Sequence, residues 1–199
     1  LVKKEILQKS YEELDAARKK VANALGDKGF GEAHCALIGE SSFCWIASYL
    51  GLVSGKNIAV PLDVLLPPEE LCDLINRSDS EVLFLGVKVK ALAPVAAKNC
   101  AKLKLIVILT EDDCDQKDDI GVPVISFGEL TKDASGEEIS DDSKPGEDDI
   151  CTFIYTSGTT GKSKGVMLSQ RNLYDNMANV HVTADPGAVM MSVLPIHHA

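Results

Sequence analysis

The chain has 199 residues, of which 45% are hydrophobic and 25% are charged, and its formal net charge is −10. This composition is typical of a globular protein with a buried core, and the acidic balance argues against a nucleic-acid-binding surface. No apolar run reaches the length of a membrane span, so we expect no transmembrane segment and a cytoplasmic protein.

The first third of the chain predicts two helices and two strands. Ser10 and Glu13 have the spacing of a capping box, and apolar residues then recur at helical intervals until Gly26. A short apolar strand follows from Cys35 to Gly39. Ser41 or Ser42 is expected to cap a second helix that runs to Leu52, with a strand from Asn57 to Leu62 after it.

The middle of the chain continues the same alternation. Pro67 and Pro68 are expected to open a helix, because proline fits the first helical turn. A further helix is predicted from Val87 to Asn99, with a kink at Pro94. Three more apolar strands are predicted at Val82–Leu85, Leu105–Leu109 and Val122–Phe127.

Apolar strands that alternate with helices indicate a parallel sheet with both faces covered, which is the α/β class. Between Glu111 and Asp149, fifteen acidic residues face only three lysines, and such a charge excess is expected to stay in solvent. We therefore predict an α/β subdomain at 1–133, an acidic surface linker at 134–149, and the start of a second α/β subdomain at 150–199. The six scattered cysteines are expected to be reduced core residues.

The segment from Tyr155 to Gly165, YTSGTTGKSKG, has the composition of a phosphate-binding loop. Glycines let the backbone turn its N–H groups toward an anion, hydroxyls add donors, and lysine adds a mobile positive charge. Apolar strands are predicted on both sides of it. A Walker A loop is the obvious competitor, but Thr156 stands where its first glycine should be and no long helix follows directly.

These residues resemble the signature loop of the adenylate-forming enzymes, which include acyl-CoA synthetases, luciferases and peptide-synthetase adenylation domains. The likeness continues through Ser169–Leu173, which is similar to the start of the family's next helix, and through His34–Asp63. Two positions depart from the family pattern: Ser163 stands where proline is usual, and Gln170 where histidine is common. The resemblance implies the large N-terminal domain of the acyl-CoA synthetase/luciferase fold.

The resemblance also implies roles for individual residues. Lys164 occupies the basic position expected on the ATP phosphates, whereas Lys162 occupies a variable one. His198 matches the histidine of the family's L-P-x-x-H segment, at the acyl-substrate pocket. Thr156 is also a candidate contact for Mg²⁺. The expected ATP-binding residues are Thr156, Ser157, Gly158, Thr159, Thr160, Gly161, Lys164 and Gly165.

The family reaction implied is a two-step ligation of a carboxylic acid to a thiol, with ATP, Mg²⁺ and CoA as cofactors. The organisation resembles bacterial long-chain acyl-CoA synthetases, so a fatty acid is the expected substrate. Because family members are much longer, we expect this chain to be a fragment without turnover of its own. Two alternatives stay open: a truncated nucleotide-binding or interaction module, and, more remotely, a P-loop phosphotransferase.

Overall fold

In a computed structural model, which describes residues 7–114, 119–156 and 163–179, the chain alternates between strands and helices as the sequence predicts. The strands within these ranges are β1 (His34–Ile38), β2 (Ile58–Leu62), β3 (Val82–Leu85), β4 (Leu105–Ile108), β5 (Val124–Ser126), β6 (Ile150–Thr156) and β7 (Lys164–Ser169). The α-helices are α1 (Tyr11–Asp27), α2 (Phe43–Ser54), α3 (Pro68–Arg77), α4 (Ala93–Asn99), α5 (Phe127–Thr131) and α6 (Gln170–Asn179).

The strands form one sheet in the order β5-β4-β3-β1-β2-β6-β7. Neighbouring strands from β5 to β6 are parallel, and only β7 runs antiparallel to its neighbour, β6. The predicted α/β class with a largely parallel sheet is therefore confirmed. The sheet continues through both predicted subdomain segments, and the division at residue 133 stays a prediction.

The core lies in two layers, one on each face of the sheet, because successive side chains of a strand point to opposite faces. In β1, Cys35 and Leu37 pack on the face that α1, α2 and α5 cover. Ala36 and Ile38 pack on the face that α3 and α4 cover. Helices therefore cover both faces, as expected for parallel strands that are apolar along their whole length.

Helices α1 and α2 approach each other unusually closely at Gly51. A Cβ atom added to Gly51 would lie 2.7 Å from the backbone oxygen of Arg18 and 2.7 Å from the Cβ of Val21. Gly26, near the end of α1, has no such neighbour within 4 Å. The two glycines thus have different roles, since only Gly51 is required by packing.

Capping boxes begin both α1 and α5, and only the one at α1 is among the features that the sequence predicts. Ser10 and Glu13 exchange hydrogen bonds at the start of α1, as predicted. Ser126 and Glu129 make the same reciprocal pair at the start of α5. The predicted strand from Val122 to Phe127 is therefore wrong at its end, because Phe127 already belongs to α5.

The predicted kinked helix from Val87 to Asn99 is in fact two helices. A 3-10 helix covers Val87–Leu92, and α4 begins afterwards with Pro94 in its first turn. Proline is accommodated there because the first-turn N–H groups have no intrahelical partner. Pro94 thus marks a helix start rather than a kink.

The acidic linker is attached to α1 along part of its length. Asn23 donates to the backbone oxygens of Ser135 and Glu137, at 3.0 and 2.9 Å, and Arg18 forms an ion pair with Glu138. A second 3-10 helix covers Asp141–Ser143.

The described part of the chain holds no helix that is both long and apolar enough to cross a membrane, and all six cysteines are free.

Candidate functional site

The strands on both sides of the predicted phosphate loop pair with each other as a β-hairpin. Thr156, the last residue of β6, lies opposite Lys164, the first residue of β7, and Tyr155 lies opposite Gly165. This confirms that the loop links two strands. It also brings two of the predicted ATP-binding residues, Thr156 and Lys164, together at the mouth of the hairpin.

Exposure rises steadily along β6 toward this mouth. Cys151 and Thr152 are buried, Tyr155 is half-buried, and Thr156 is exposed, as is Lys164 on the opposite strand. Within the described residues Lys164 has no ion-pair partner among the acidic side chains. Its side chain therefore lies in solvent at the mouth of the hairpin.

Gly165 lies beside the Tyr155 ring in the hairpin. A Cβ atom at Gly165 would lie 3.4 Å from the Cε1 atom of Tyr155, an ordinary van der Waals contact. Burial raises the pKa of the Tyr155 phenol, against a smaller opposing effect of the Arg77 charge, so the ring is neutral at neutral pH. An uncharged aromatic ring therefore packs beside the end of the loop.

In the described residues, the hairpin pairs with β2 of the sheet at a single position. Thr152 Oγ1 donates a buried hydrogen bond of 2.9 Å to the backbone oxygen of Ala59, and Ala59 with Thr152 is the one β2–β6 pair in the described residues. Ile58 donates its N–H to Ala33, beside β1, so by alternation Ala59 and Pro61 face β6. Pro61 has no N–H to donate, and the pairing ends there.

Beyond Thr152 the hairpin packs on the face of the sheet that α3 and α4 cover. Phe153 packs edge-to-face on the His34 ring, with 5.2 Å between the ring centroids. Tyr155 lies under the guanidinium of Arg77, 5.4 Å from its Cζ atom. Both aromatic rings are partly buried and pack against the core layer on that face.

The base of the hairpin is fixed by residues that continue the motif. Ser169 and Asn172 exchange hydrogen bonds at the start of α6, which confirms the predicted helix start. Gln170 Nε2 donates to the backbone oxygen of Val53 at 2.7 Å, which ties α6 to α2. Gln170, which departs from the family pattern, is therefore a structural anchor here.

The other predicted site residues lie outside the described residues: Ser157, Gly158, Thr159, Thr160, Gly161 and His198. Sequence reasoning missed Arg77, whose Nη2 atom donates to the backbone oxygen of Ser163 at 2.7 Å. The two residues are 86 positions apart, and no local pattern indicates such a contact.

Comparisons with known proteins agree with this arrangement. The chain matches the family described as AMP-binding enzyme over residues 2–199. Long chain acyl-CoA synthetase 2 of Arabidopsis thaliana is 28% identical over 201 residues, which cover 95% of this chain and 30% of that protein. Long-chain-fatty-acid–CoA ligase 5 of Rattus norvegicus is 26% identical over 206 residues, with coverage of 95% and 30%.

The fold comparison gives the same result. The crystal structure of an anthranilate CoA ligase in complex with anthranoyl-AMP superposes with a TM-score of 0.69 and 25% sequence identity, covering 81% of this chain and 30% of that one. The predicted fold, that of the N-terminal part of such enzymes, is thereby confirmed. The chain spans about 30% of the length of the two curated relatives.

Proposed function

The chain belongs to the AMP-binding enzyme family, and we propose that it supplies the phosphate-binding loop of an ATP-dependent ligase that joins a fatty acid to CoA. The observation that carries the proposal is the family match over residues 2–199, with the loop ends held together in a hairpin. The fatty acid is supported by the two curated relatives, which are named for long-chain acyl groups.

The proposed reaction has two steps. In the first, a carboxylate oxygen attacks the α-phosphorus of ATP, the acyl-adenylate forms, and pyrophosphate leaves with the electrons of the broken P–O bond. In the second, the sulfur of CoA attacks the acyl carbon, and AMP leaves. Negative charge on the polyphosphate matters only in the first step, so a group that stabilises it acts there.

Lys164 and Thr156 are the described residues that we assign to the first step. The Lys164 ammonium stabilises the charge on the departing pyrophosphate. Mg²⁺ bound to a nucleotide takes most of its ligands from phosphate and water, with one or two from protein, and the exposed Thr156 hydroxyl fits one such position. The bound ion would neutralise phosphate charge. Ser157–Gly161 are proposed as further phosphate donors and His198 as part of the acyl pocket.

The test is carboxylate-dependent exchange of pyrophosphate into ATP, measured with a protein that carries this chain together with the rest of the family's length. We expect exchange with palmitate, and a thioester when CoA is added. Exchange with anthranilate but with neither palmitate nor butyrate would reject the fatty-acid assignment. Absence of exchange with every acid would favour the alternative of a nucleotide-binding module without turnover.

The 199 residues alone are expected to bind ATP weakly. A few charge-assisted hydrogen bonds at an exposed hairpin mouth offset little of the cost of fixing both loop and ligand, so we expect a dissociation constant of about 1 mM or weaker. Binding should weaken further as salt screens the charges. Calorimetry at two salt concentrations checks this, and micromolar affinity would contradict it.

A further inference from the structure

Arg77 contacts both ends of the phosphate loop. Its Nη2 atom donates to the backbone oxygen of Ser163 at 2.7 Å, and its Cζ atom lies 5.4 Å from the centre of the Tyr155 ring. Tyr155 directly precedes Thr156, and Ser163 directly precedes Lys164. One guanidinium group therefore joins the end of β6 to the start of β7.

The guanidinium is itself held by a rigid element. Arg77 is the last residue of α3, and Leu74 and Ile75 of the same helix are buried in the core. Asp73, one turn earlier, lies 3.4 Å from the Nη1 atom of Arg77. The planar group thus uses separate nitrogen atoms for Asp73 and Ser163 while its face covers Tyr155, a combination that lysine cannot fully reproduce.

We propose that Arg77 is a positioning residue for the adenylation step, and this rests on the function proposed above. The Ser163 carbonyl belongs to the peptide bond that leads into Lys164, so the hydrogen bond from Arg77 fixes the backbone from which the lysine side chain leaves. Small displacements of a charged group cost rate, because its contact with the developing charge is lost. Arg77 therefore acts through Lys164 without touching ATP.

The residue at position 163 makes this contact more important. Ser163 stands where the family pattern has proline, and proline would restrict the backbone by its ring. Serine leaves the backbone at this position more conformational freedom, so contacts from outside the loop are needed to restrict it. The hydrogen bond from Arg77 at the end of α3 provides such a contact, and it is made to the backbone oxygen of Ser163.

The experiment compares three variants in the protein used for the exchange test. Arg77→Met removes the charge and the donors and keeps a flexible apolar stem, whereas Arg77→Lys keeps a cation and a donor. Arg18→Met is the matched control, because Arg18 also pairs with an aspartate on its own helix and with a distant carboxylate, Glu138, away from the hairpin. Urea unfolding of each variant separates stability from rate.

We expect Arg77→Met to lower kcat/KM for ATP in the adenylation step about 10-fold, a loss of about 1.4 kcal/mol. Formation of the thioester from supplied acyl-adenylate should not change, and Arg77→Lys should recover most of the loss. A purely structural role would instead lower both steps together, in proportion to the loss of stability. Equal losses in both steps, or the same loss in Arg18→Met, would overturn the proposal.

A second measurement does not depend on activity. In the 199-residue chain, trypsin cleavage after Lys162 and Lys164 should become several-fold faster in Arg77→Met than in the unaltered chain or in Arg18→Met. If cleavage is unchanged, Arg77 does not hold the loop in place, and the proposal is wrong even if the adenylation rate falls. If no protein shows exchange but cleavage accelerates in Arg77→Met, Arg77 does hold the loop in place and the proposed function is wrong. The two failures are therefore distinguishable.

Discussion

Lys164→Ala is expected to slow acyl-adenylate formation about 100-fold or more, by analogy with other groups that stabilise charge in a transition state. The Lys164 side chain is exposed at the hairpin mouth, so its loss should change stability by less than about 0.5 kcal/mol. The thioester step should be spared, because no polyphosphate is present when CoA attacks. Pre-steady-state measurement of each half-reaction checks this.

The matched control is Lys162→Ala, which removes the same charge from the same loop at a position that the family pattern leaves variable. We expect less than about a threefold effect from it, since a charge outside a fixed ion pair contributes little. Comparable losses in both half-reactions of Lys164→Ala, or equal losses in the two lysine variants, would reject the assigned role.

Gly51→Ala and Gly26→Ala are expected to change stability in opposite directions. Both glycines lie in helices, and alanine is favoured over glycine there by up to about 1 kcal/mol. At Gly51 the added methyl group would overlap the Arg18 backbone oxygen and the Val21 side chain, so helices α1 and α2 must separate. We expect a net loss of about 1–3 kcal/mol there.

At Gly26 the added methyl group meets nothing within 4 Å, so the helix propensity acts alone and the free energy of unfolding should rise by up to about 1 kcal/mol. Urea denaturation of both variants, analysed with a common slope, gives the comparison. A stabilised Gly51→Ala variant would show that the close helix crossing is not required.

The sequence predicted the parts of the fold that depend on local signals. The capping box at Ser10 and the apolar strands were readable because their patterns lie within a few residues. Ser126 and Glu129 carry the same signal, but the apolar run before them favours a longer strand. Pro94 predicts a kink within one long helix, because its actual place in a first turn depends on the end of the 3-10 helix at Leu92.

The candidate site was predictable only in part. Residues 155–165 identify a phosphate loop by composition and spacing, and the pairing of Thr156 with Lys164 follows once both strands are accepted. The contact between Arg77 and Ser163 depends instead on how the hairpin lies across the sheet. That placement is set by long-range packing, which no local pattern in one sequence records.

Pro61 affects how easily the β6–β7 hairpin separates from the rest of the sheet. Ala59–Thr152 is the one β2–β6 pair in the described residues, and Pro61, the next residue of β2 that faces β6, has no N–H to donate, so the backbone attachment of the hairpin to β2 is weak and its local opening costs little free energy. The hairpin can therefore separate from the helix-covered face as one unit while β1 to β5 stay closed. Deuterium uptake would then divide the chain into a slowly exchanging platform and a faster exchanging arm that carries the lysine.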